Sequence, residues 1–179
     1  MHSEERWIQW WCAPWQWAHP DWMTRFLERS GLPPTDITNL LQVRHGAFLH
    51  SAGIEPSQPP PPVDALLQWL ALDALRQRQA LKLAGRICLI GSADGEPDSD
   101  PGPHETWCRS VAKALRPGTW LDVRVDDPRL LLAAWTGETC WPRLRLSWAP
   151  DAVSLTFVEL PLKKLQTLWQ SVLWRVMTP

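Results

Sequence analysis

Apolar residues along this chain recur mostly at every third or fourth position, the spacing that lines one face of a helix. The longest such stretch runs from Asp64 to about Ile90, with Leu66, Leu67, Leu70, Ala74, Leu81, Ala84 and Cys88 on one side. Leu72, Leu75, Leu83, Ile87 and Ile90 fall elsewhere on the wheel, which predicts burial on more than one side. Arg76 to Gln79 mark a wet turn in its middle, and Gly85 weakens it locally. Near the start, Ser3 can cap a short helix carrying Glu4 and Glu5 in its first turn, with Trp7 and Trp11 on one face and Trp10 beside them. Asp21 can cap a second helix with Trp22 and Phe26 inward, and Gly31 suits its left-handed end. Pro33-Pro34-Thr35-Asp36 breaks the chain before an amphipathic stretch through Ile37, Leu40, Leu41 and Phe48, where Arg44 interrupts the stripe.

Later segments follow the same logic. His104 to Leu115 reads as a short helix with Trp107, Val111 and Leu115 inward. Asp127-Pro128 opens another in the capping order of acidic residue then proline, and Gly137 closes it. The last runs from about Pro161, with Leu162, Leu165, Trp169, Val172, Leu173 and Val176 on one side.

Three segments alternate with period two and predict strands. Leu121, Val123 and Val125 share a face within Trp120 to Val125; Leu144, Leu146 and Trp148 oppose Arg143, Arg145 and Ser147; Val153, Leu155 and Phe157 repeat the pattern. The expected class is α+β, mainly helical with a small antiparallel sheet or hairpin in the C-terminal half. The expected organisation over residues 1–179 is a single domain. It comprises a Trp-rich helical part over 1–54, a stiff polyproline-like spacer over 55–62 (EPSQPPPP), and a helical body with the small sheet over 63–179.

Composition changes this picture at one point. The chain holds 14 Trp, 3 Phe and no Tyr, and six of the Trp fall within the first 22 residues. Each can bury about 150–250 Å² while its indole N–H still needs a partner. That is too much aromatic surface to hide easily beneath so short a segment. Trp10, Trp11, Trp15 and Trp17 are therefore candidate partner-binding anchors, with Arg6 beside them. A clamp of the N-terminal segment onto its own domain is an equal alternative.

Charge excludes more than it suggests. With 18 basic and 19 acidic residues there is no overall basic excess for nucleic acid, and none is expected as a partner. A module stacking bases on Trp would need a basic groove lined by Arg143 and Arg145. No stretch nears the roughly 18 apolar residues of a membrane helix, so no direct membrane insertion is expected. The mixed-charge start leads into no secretory signal core, which reads as a cytoplasmic location. Cys12, Cys88, Cys108 and Cys140 lie far apart and are expected as small buried apolar residues in a reducing compartment.

No arrangement here carries recognisable chemistry. The acidic run Asp94 to Asp100 with Glu105 imitates a calcium loop, but Ser99 stands where the sharp turn wants glycine and three prolines stiffen the backbone. His104 and Cys108 have ligand spacing on a helix, without a matching second pair. No catalytic, cofactor-binding or metal-ligating residue is assigned, no cofactor is expected, and the chain is read as not an enzyme. A small hydrolase or transferase using Cys12, Cys108 or Cys140 with a histidine is the rival from another class.

Three segments resemble the K-type accessory proteins of the type III secretion sorting platform, the SctK family (HrpD/YscK-like). The first is Trp11-Cys12-Ala13-Pro14-Trp15-Gln16-Trp17-Ala18-His19-Pro20-Asp21-Trp22, similar to family members that begin with Cys or Arg and Pro, then an aromatic, then His often followed by Pro. The second is Cys140-Trp141-Pro142-Arg143-Leu144-Arg145-Leu146, similar to a basic, leucine-alternating segment late in those proteins. The third is Leu165 to Pro179, where Gln166-Thr167-Leu168 and Val176-Met177 sit at like spacing. Together they cover about a fifth of the chain, in the family's order. The resemblance implies a non-catalytic cytosolic adaptor, peripheral to the inner membrane through protein partners. It would link the cytoplasmic domain of the inner-membrane ring protein to the cargo-sorting pod protein, which connects through the stator to the secretion ATPase. A secretion chaperone binding an effector is the rival from the same biology. His19 and Pro20 are expected to shape the N-terminal turn.

Overall fold

The computed structural model describes residues 3–31, 37–89, 104–122, 125–153 and 156–178, without the side chains of residues 3, 37–40 and 42. Among the described residues the fold is all-α. Nine helices are present: α1 (Ser3–Cys12), α2 (Pro20–Ser30), α3 (Ile37–Ser51), α4 (Asp64–Leu70), α5 (Ala74–Cys88), α6 (Glu105–Leu115), α7 (Pro128–Thr136), α8 (Trp141–Leu144) and α9 (Leu162–Met177). The expected Pro33–Asp36 break and the acidic run at 94–100 lie outside the described residues.

The α+β expectation is therefore corrected: no strand forms among the described residues. Local bonds explain why. The Leu121 N–H donates to the Pro117 carbonyl at 2.8 Å, and the Val125 N–H to that of Asp122 at 3.0 Å, which leaves no ladder for a strand there; residues 123 and 124 lie outside the description. In the second segment the Leu144 N–H reaches the Cys140 carbonyl at 3.0 Å and the Trp148 N–H that of Arg145 at 3.1 Å. These bonds make α8 and a 3-10 turn over Arg145–Ser147. In the third segment residues 154 and 155 are not described, and Val153 and residues 156–160 form no strand. Alternation of Leu with Arg implied one dry and one wet face, but Arg143, Leu144, Arg145 and Leu146 are all buried.

The long helix expected over 64–90 is two. Asp73 accepts a bond from the Arg76 N–H at 2.8 Å and so starts α5 afresh, an N-cap worth about 1 kcal/mol. Arg44 leaves helical geometry at φ −115°, ψ 27°, which kinks α3 where the apolar stripe is interrupted. Gly31 ends α2 at φ 62°, and Asp127 caps α7 through the Arg129 N–H, both as the turn chemistry predicts.

The chain divides into two compact units. Unit 1 comprises residues 1–67 and 138–155. Its core joins Trp22 and Phe26 of α2 to Leu41, Phe48 and Leu49 of α3 and to Leu146. Phe26 and Phe48 meet edge-on at 5.7 Å. Unit 2 comprises residues 68–137 and 156–179. There α5 packs against α6, α7 and α9. The α9 residues Leu165, Leu168, Trp169 and Val172 are fully buried, and the Trp169 ring stacks on Trp135 at 5.5 Å and meets Trp69 edge-on at 5.9 Å.

Candidate functional site

Unit 1 contains both the N-terminal aromatics and the two buried arginines, and its geometry follows from indole chemistry. Helix α1 carries Trp7, Trp10 and Trp11, whose rings sit 5.6–6.1 Å apart, Trp7 tilted against the other two and Trp10 edge-on to Trp11. A buried indole N–H needs an acceptor, and the proline-rich segment offers carbonyls that no helix or ladder consumes. The Trp7 indole donates to the Pro60 carbonyl at 2.8 Å, and the Trp11 indole to that of Ser57 at 2.9 Å. The polyproline stretch is thus the seat of α1.

The arginines of the 143–147 segment close this arrangement. The Arg143 guanidinium lies 3.8 Å above the Trp11 ring. Its Nε donates to the Trp11 carbonyl at 3.3 Å and its Nη2 to the Ser57 hydroxyl at 3.4 Å. Arg145 stacks 4.6 Å over Trp22 and donates to the Ala52 carbonyl at 2.5 Å. Burial pushes both guanidiniums below their ordinary pKa, because the charged form loses water. The Trp22 indole donates to the Trp148 carbonyl at 2.8 Å. The His19 N–H donates to the Leu146 carbonyl at 2.7 Å while its ring Nδ1 accepts from the Asp21 N–H, so His19 caps α2 and shapes the turn before it.

Of the four candidate anchors, Trp10 and Trp11 are 1% and 2% exposed and belong to the interior. Trp15 and Trp17 are half-buried, with Trp15 edge-on to Phe48 at 6.5 Å. The structure brings Trp10 and Trp11 together and leaves Trp15 and Trp17 as the accessible pair. Reading the sequence missed the role of the arginines. An arginine at alternate positions looks wet unless an indole is known to lie beneath it.

Beside the Arg145–Trp22 stack lies a cavity of about 210 Å³, lined by Trp22, Arg25, Phe26, Arg29, Ser51 and Arg145 among others. Arg25 pairs with Asp151, whose side chain is largely exposed. Arg29 donates to the Ser51 carbonyl at 3.4 Å. The buried Nε of Arg145 has no hydrogen-bond partner.

The thiols are mostly interior. Burial pushes Cys88 up to about 12 and Cys140 up to about 11, the latter against the opposing pull of Arg143, and it raises Cys108 as well. Those thiols stay protonated near neutral pH, the weakly nucleophilic form. Cys12 departs from the expected burial and is exposed. His104 meets the Arg175 Nε at 3.1 Å and the Gln79 amide at 3.4 Å in unit 2. Among the described residues no three His, Cys, Asp or Glu side chains come together to hold a metal, and no helix is long and apolar enough to cross a membrane. No protein-family model, curated protein or solved structure matches the chain.

Proposed function

We propose that this chain is a non-catalytic adaptor of a bacterial type III secretion system, of the K type that its three short segments resemble. In that role it is cytoplasmic, peripheral to the inner membrane through its partners, and joins the ring protein's cytoplasmic domain to the cargo-sorting pod. The observation that carries the reading is the meeting of two of those segments. Arg143 lies over Trp11, Arg145 over Trp22, and the His19 N–H bonds the Leu146 carbonyl. Two of the three segments, more than a hundred residues apart in the chain, thus meet in one clamp, and the reading rests on that clamp as their common framework. Trp15 and Trp17 are the members of the anchor set left with surface to offer a partner.

Affinity capture of the tagged chain from a bacterium carrying the secretion apparatus tests this. The pod protein and the ring protein are expected among the captured proteins. Capture of effectors without either component would overturn the adaptor reading in favour of a chaperone.

A further inference from the structure

We propose that unit 1 contains a binding pocket for the phosphate group of a phosphate monoester, seated between Arg25, Arg29 and Arg145. This stands independently of the adaptor reading, because it rests on the cavity alone. Three guanidiniums line a cavity of about 210 Å³, and their present partners are few or easily exchanged. Arg145 is 6% exposed, stacks on Trp22 and bonds a single acceptor, the Ala52 carbonyl. A guanidinium carries five N–H donors, and leaving them buried and unpaired is costly. Arg29 holds the Ser51 carbonyl only at the long limit of a hydrogen bond, 3.4 Å. The Arg25–Asp151 pair has an 82% exposed carboxylate, so water screens it and an incoming anion can compete.

Charge selects the ligand class. Three guanidiniums against the Asp151 carboxylate leave two positive charges. The C-terminal end of α3 subtracts about half a charge, and Arg145 and Arg29 already bond carbonyls just there. The remainder exceeds one unit, which suits a dianion better than a carboxylate or a phosphodiester. Guanidinium forks match phosphate oxygens in pairs. The walls supplied by Trp22 and Phe26 favour an ester with an organic body over the bare ion.

The test uses the purified full chain at constant ionic strength and about pH 7.5, where a monoester is a dianion. Phenyl phosphate, followed by calorimetry and by its phosphorus resonance, is expected to bind saturably at one site. Arg25→Gln and Arg29→Gln are each expected to weaken it about tenfold with the helical circular dichroism unchanged. Arg109→Gln, on an exposed position of α6, is expected to bind as the parent does. Inorganic phosphate is expected to bind several-fold more weakly than phenyl phosphate, and equally tight binding of the bare ion would overturn the monoester assignment. No saturable binding, parent-like binding by the Arg25→Gln/Arg29→Gln double variant, or equal or tighter binding of benzoate, dimethyl phosphate or an oligonucleotide would overturn the proposal.

Discussion

Arg143 shows how much a single side chain can hold when an aromatic face lies under it. Its guanidinium sits 3.8 Å over Trp11 while reaching the Trp11 carbonyl and the Ser57 hydroxyl, so it ties α8 to α1 and to the proline-rich segment at once. A desolvated cation–π contact contributes about 2 kcal/mol, and the planar fork makes the two hydrogen bonds compatible with it. Lysine keeps the charge and loses the fork and the stacking plane. Because the ammonium keeps part of the attraction, Arg143→Lys is expected to destabilise the protein by about 1 kcal/mol, seen as a lower urea midpoint. An unchanged midpoint would mean that the stack contributes little. Cys140 illustrates a different residue-scale outcome. Read as a small buried apolar residue, it is one, and burial is what lifts its thiol to about 11.

At the scale of elements, some ends lie where the sequence places them, whereas the cap expected of Asp21 is His19 instead, with Asp21 in the first turn of α2. The α2 end at Gly31, the α7 start at Asp127-Pro128 and the α9 stripe through Leu165, Trp169 and Val176 all rest on local chemistry, which a sequence displays directly. The α4–α5 break was harder to read because apolar spacing continues across it, and only the Asp73 cap betrays the interruption. Gly85 lies inside α5 with ordinary helical geometry, and a methyl group there would meet Pro128 of α7 at 3.6–3.7 Å, normal contact distance. Gly85→Ala is therefore expected to stabilise the protein by about 0.5–1 kcal/mol through helix propensity, measured as a higher midpoint. A loss of stability would show that α5 and α7 approach more closely than this. The strand expected over Arg143–Trp148 fails for one identifiable reason: period-two alternation implies a dry face against a wet one, whereas Trp11 and Trp22 supply buried seats for Arg143 and Arg145. The candidate site was legible in part for the same reason: the crowd of indoles was visible, but what each would touch depended on residues far along the chain.

At the scale of the whole molecule, chain order and spatial grouping part company. Unit 1 takes residues 138–155 from the second half of the chain, and unit 2 is completed by residues 156–179. Long-range selection of this kind leaves no local mark, because it is decided by which indole finds which carbonyl or guanidinium. The functional proposal lives at this scale too, since a linker must hold two proteins at one time. Binding to either partner alone would also suit a competitor or a chaperone. The most direct test is to mix the purified chain with the cytoplasmic domain of the ring protein and with the pod protein, and to measure the mass of the complex by light scattering after size-exclusion chromatography. The adaptor account predicts one species containing all three proteins, formed only when this chain is present. Formation of pairs that exclude one another, or no complex at all, would contradict it.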